Sequence, residues 1–124
     1  MATALLSFAR AADPSSDPYG LWKPLQGAIY KFHSGIVADR TPPTANERRL
    51  TILVDGKAAK EIFDSIGPDH AGGSCSDAMG DRHRRKKGVV CDYTAQDEKD
   101  KDGPYRCWIG VNLQTGDTVS TISC

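Results

Sequence analysis

LTILVDGKAAKEIFDSIGP, residues 50–68, carries the change of period that decides the architecture. Leu50 to Val54 is a short apolar run rich in β-branched residues, the mark of a buried strand. Asp55 and Gly56 form a turn. Ala59, Ile62, Phe63 and Ile66 then recur at the spacing of one helical face, with Lys57, Lys60, Glu61 and Asp64 turned away from it. Gly67-Pro68 stops the helix, glycine just past its end and proline after. A helix of about ten residues does not persist alone in water. Its apolar stripe must lie on something, and the strand before it points to a sheet.

Working outward, strand periodicity returns on both sides. From Ala28 to Val37, Tyr30, Phe32, Ser34 and Ile36 fall on one side and Lys31, His33 and Gly35 on the other. Asp39 to Asn46, with Pro42 and Pro43 adjacent, reads as a loop. Beyond the helix, Asp69 to Lys86 is polar and contains glycines, so a loop is expected there too. Val89, Cys91 and Tyr93 alternate with Val90 and Asp92 as a third strand. After a charged loop, Ala95 to Gly103, a fourth strand runs through Tyr105, Cys107, Ile109, Val111 and Leu113. Its opposite side carries Arg106, Trp108, Gly110 and Asn112. Gln114 to Asp117 is turn chemistry, and a last strand is expected from Thr118 to Cys124. These elements predict an α+β fold: an antiparallel sheet of about five strands, one short amphipathic helix packed on one face, and two disulfides.

The chain has 124 residues, enough for one domain, and 16 basic against 16 acidic residues leave no net charge. No overall field favours nucleic acid or an anionic membrane, so electrostatic recognition must come from local patches. Ala9 and Ala11 make an Ala-x-Ala step after a short apolar run, which reads as residual signal peptide over residues 1–11. Residues 12–27, with Pro14, Pro18 and Pro24, read as a flexible lead-in, and residues 28–124 as a single stapled domain. No stretch approaches the roughly 20 apolar residues of a membrane span. The expected address is periplasmic or secreted.

Cysteine usage agrees with export. Cys75, Cys91, Cys107 and Cys124 are an even number at wide, nearly regular spacing, which suits disulfides and not the close pairs of a zinc site. His33, His70 and His83 lie in three separate segments. No metal and no cofactor are therefore expected. Hairpin registers place Cys107 within reach of both Cys91 and Cys124, all on the helix-bearing face. Closing the long polar loop and pinning the chain end favours Cys75–Cys91 with Cys107–Cys124. The alternative is Cys91–Cys107 with Cys75–Cys124.

Three features carry candidate function. Arg82, His83, Arg84, Arg85, Lys86 and Lys87 put five permanent cations and a histidine in six residues, a group suited to a polyanion, an envelope component or an acidic protein surface. The bland reading is a solvated loop answered by Asp92, Asp97, Glu98, Asp100 and Asp102. Arg106 and Trp108 side by side on the outward face, with Gly110 leaving room, form a hot-spot pair for a protein partner if that face is open. His33 and His83 are the candidate acid–base residues of a small hydrolase or nuclease, but neither has a partner at diagnostic spacing. The expectation is a monomeric exported binding module, acting on a protein partner as an inhibitor, immunity or accessory factor. Nucleic acid is not expected as a partner.

Overall fold

The computed structural model describes residues 20–70 and 78–121. Five strands form one antiparallel sheet: β1 (Ala28–His33), β2 (Arg49–Asp55), β3 (Arg82–Lys86), β4 (Val89–Tyr93) and β5 (Tyr105–Asn112). The order across the sheet is β1-β2-β5-β4-β3. Among the described residues one α-helix, α1 (Gly56–Ser65), follows β2 without a linker. The described residues thus show the expected α+β class, a five-stranded antiparallel sheet with a short helix on one face.

Register explains which face the helix takes. Val54 lies opposite Cys107, and Cys107 opposite Cys91, so these three point to one side of three adjacent strands. Ala59 and Phe63 of α1 pack onto them, and all five residues are wholly buried. Tyr93 and Tyr105 flank the cluster, their rings 5.1 Å apart. Asp55 sits at the N-cap, but its carboxylate accepts from Arg106 Nε at 2.7 Å and leaves the first turn uncapped. The C-terminal end is held from outside the helix, since Arg84 Nη1 donates to Phe63 O at 2.7 Å. Glycine at position 67 makes room for that guanidinium, because a Cβ there would come within 3.0 Å of it.

The cysteine pairing departs from expectation. Cys91 is bridged to Cys107, not to Cys75, and Cys107 is not bridged to Cys124. The two are register partners on neighbouring strands, and opposed side chains on one face of a ladder are the shortest route between two sulfurs. This is the only disulfide among the described residues; Cys75 and Cys124 lie outside them.

Three elements also differ. Arg82 to Lys86 is a strand, not part of a polar loop, and it turns through Lys87-Gly88 into β4. The meander is therefore β3-β4-β5. The first strand stops at His33, and of the strand expected from Thr118 the described residues, up to Thr121, contribute one bridge, Thr118 to Val111; residues 122–124 lie outside the described residues. Beyond that bridge the chain crosses the back of the sheet against Gly110, where a Cβ would meet the Thr121 side chain at 2.4 Å. The 34–47 segment closes over the same region. Ser34 Oγ donates to Pro42 O, Thr41 Oγ1 to Ser34 O and Arg49 Nη1 to Gly35 O. His33, Ser34, Thr51 and Thr121 are buried on this side of the sheet.

Candidate functional site

The helix covers only part of its face. Ten helical residues span about 15 Å, whereas the eight residues of β5 run about 26 Å. Alternation from Cys107 carries Ile109 and Val111 onto the helix side. Their register partners there are Ile52 and Leu50, and beyond those Tyr30 and Phe32. Ile52 packs against the core, and from it the other five continue an apolar sheet surface past α1. Tyr30 is 69% and Phe32 53% exposed, and their rings meet edge to face at 5.7 Å. Leu113, just after β5, is exposed as well. Among the described residues this apolar face continues beyond the helix, and it is the candidate for an interaction surface.

The residues singled out from the sequence are placed differently. Arg82 and Arg84 both bond Asp69, at 2.9 and 2.7 Å, and lie over the Phe63 ring at 5.0 and 4.2 Å. They roof the core with their stems and planes, and Asp69 answers their charge. Arg85, Lys86 and Lys87 remain exposed at the β3–β4 hairpin tip. Arg106 is engaged by Asp55. Trp108 lies half-buried between its register partners Leu53 and Val90, and the room at Gly110 is filled by the chain at Val119 and Thr121.

Both candidate catalytic histidines are buried, His33 at 3% and His83 at 2% exposure. His33 Nε2 lies 2.8 Å from Thr51 Oγ1 and Nδ1 3.3 Å from Ser34 O. A proton on Nδ1 satisfies both contacts, with Thr51 donating to Nε2. His83 Nδ1 pairs with Asp92, while its buried Nε2 has no hydrogen-bond partner among the described residues. An Asp–His pair can orient a general base, but here the working nitrogen faces protein and not solvent. The arrangement locks β3 to β4.

The Asp69 cluster makes a prediction about acid. Hydrogen bonds from Arg82 and then Arg84 hold the Asp69 carboxyl down at about 2, against an ordinary 3.8. A lowered carboxyl contributes stability above its unfolded value and loses it as pH falls through the folded one. Asp69→Asn is therefore expected to unfold at lower urea than wild type at pH 7. The gap should close between pH 4 and pH 2. Asp69 is nearly half exposed, so the effect is modest. Urea midpoints measured across that range check it, and a gap that does not change with pH would contradict the ion-pair account.

No protein family, curated protein or solved structure matches this chain. Function is therefore argued from its own surfaces. No helix among the described residues is long and apolar enough to cross a membrane.

Proposed function

We propose that this chain is a small exported binding module that docks a protein partner on the uncovered helix-side half of its sheet. One observation carries the reading. Exposed Tyr30 and Phe32, with part-exposed Leu50, Ile109 and Val111 beside them, form an apolar face that runs past the ten-residue helix. Burying such a face supplies the main favourable term in association, and a stapled sheet loses little order on binding. The buried Cys91–Cys107 bridge supports an oxidising address, periplasmic or secreted. An inhibitor, immunity or accessory role fits a surface of this kind. The docking surface differs from the pair Arg106 and Trp108, of which Arg106 is bonded to Asp55 and Trp108 is half-buried.

A second reading keeps the cations Arg85, Lys86 and Lys87 as a polyanion contact, because they stay exposed at the hairpin tip. One comparison separates the two. The full chain, a Phe32→Ser/Val111→Ser variant and an Arg85→Ala/Lys87→Ala variant are each used to capture partners from envelope extract. The docking reading expects a stoichiometric protein that the apolar variant loses and the cation variant keeps. Capture insensitive to the apolar changes, with heparin retention abolished by the cation changes, would favour the polyanion.

A further inference from the structure

The two margins of the sheet are protected very differently. At the β3 margin stand Arg82, Arg84, Arg85 and Lys86, and His70 N donates to His83 O at 2.7 Å, so the neighbouring chain covers part of that edge. At the β1 margin Ile29, Tyr30, Lys31 and Phe32 are exposed in succession, three of them large and apolar. No described strand lies beyond them. Cations and covering chain are the usual means of keeping an edge from pairing. At β1 a single lysine is present.

The hydrogen-bonding sense of that edge can be read from the ladder. Asp55 N donates to Gly27 O at 2.9 Å, and Leu113 N donates to Arg48 O at 2.8 Å on the other side of β2. Hydrogen-bonded pairs alternate along antiparallel strands. Ile29, Lys31 and His33 thus turn their peptide groups to β2, while Ala28, Tyr30 and Phe32 turn theirs outward, away from the sheet.

We propose that two copies of this chain pair antiparallel through β1, about a two-fold axis at Tyr30, to make one continuous sheet. In this register all three outward-turned residues find hydrogen-bonding partners: Tyr30 meets Tyr30 of the other copy, and Phe32 meets Ala28. The large ring is opposed by the smallest side chain of the strand. Ile29 lies opposite Lys31, where the aliphatic stem packs and the ammonium reaches water. Shifting the axis to Lys31 would oppose the two lysines and leave Ala28 unpaired, which disfavours it. A zero net charge adds no long-range repulsion between copies. This self-complementarity selects a second copy as the occupant, in place of the monomer expected from the sequence. The inference deepens the docking reading, since the joined Tyr30 and Phe32 surfaces become one face across the pair.

Sedimentation equilibrium of the full chain over a concentration series tests it. Wild type should approach twice the chain mass. Tyr30→Lys and Tyr30→Glu, which set like charges across the axis, should each weaken self-association by roughly tenfold or more. Mixing the two variants should restore a one-to-one pair. Tyr30→Pro should also be monomeric while unfolding near wild type, because its lost N–H faces outward and not to β2. A wild type that stays monomeric throughout, association untouched by both charged variants, or a mixture that remains monomeric overturns the proposal. Monomeric wild type that still captures a partner through Phe32 would sink the pairing alone. A wild-type dimer without any partner would sink the docking role alone.

Discussion

Phe63→Ala is expected to cost about 3–5 kcal/mol, a large part of the roughly 5–15 kcal/mol typical of a domain. Among the described residues Phe63 is the largest fully buried side chain, and the wholly buried cluster around it holds Val54, Ala59, Cys91 and Cys107. Its ring sits 5.2 Å from that of Tyr105 and carries the guanidiniums of Arg82 and Arg84 on its face. Truncation opens a cavity and strands both cations over it, so the site cannot collapse cheaply. Phe63→Leu should keep most of the stability. The informative control is Phe32→Ala, the same chemical change at a half-exposed position, expected within about 0.5–1 kcal/mol of wild type. Urea unfolding followed by far-ultraviolet dichroism measures all three. Equal losses at Phe63 and Phe32 would mean that the helix does not define the core.

Much of the architecture was legible because period and length agree. The run from Leu50 to Val54 and the stripe at Ala59, Ile62, Phe63 and Ile66 place β2 and α1 within a residue or two of where they lie. The strand Arg82–Lys86 was not legible, and the reason is physical. Its core-facing positions are Arg82 and Arg84, which close the core through stems and planar heads, so no apolar alternation marks them. Its other face hides His83, paired to Asp92. A run of cations thus reads as a solvated loop while two of its members act as core cover.

The apolar face was half legible. Alternation set Tyr30 and Phe32 on one side without saying what covers that side. Comparing lengths supplies the answer for the helix, since ten helical residues cannot roof strands of up to eight residues running past them. Arg106 and Trp108 were selected by residue type, by their outward place in the alternation and by the room at Gly110. Nothing local to them announces that Asp55, distant in sequence, takes the guanidinium, or that the chain near Thr121 crosses over Gly110.

Replacing both Cys91 and Cys107 by alanine is expected to lower stability by about 3 kcal/mol or more. The bridge spans a sequence separation of 16, and the chain-entropy account assigns about 3 kcal/mol to a loop of that size. Lost packing adds to this, because both half-cystines are wholly buried and Cys107 Sγ lies 3.3 Å from Ala59 O of the helix. Choosing the pair Cys75–Cys91 weighed which loop needed closing. The better criterion is which sulfurs already face each other, and the β4–β5 register opposes Cys91 to Cys107. Two measurements follow. Non-reducing peptide mapping of natively produced protein should join the Cys91 and Cys107 peptides. Dithiothreitol should leave that bridge intact in buffer and cleave it once urea opens the sheet, because no reductant reaches a sulfur under α1 without unfolding. Rapid cleavage under native conditions would place the sulfurs at the surface and remove the centre of the core described above. The double replacement and Phe63→Ala act on the same cluster, so their combined cost should fall short of the sum of the two.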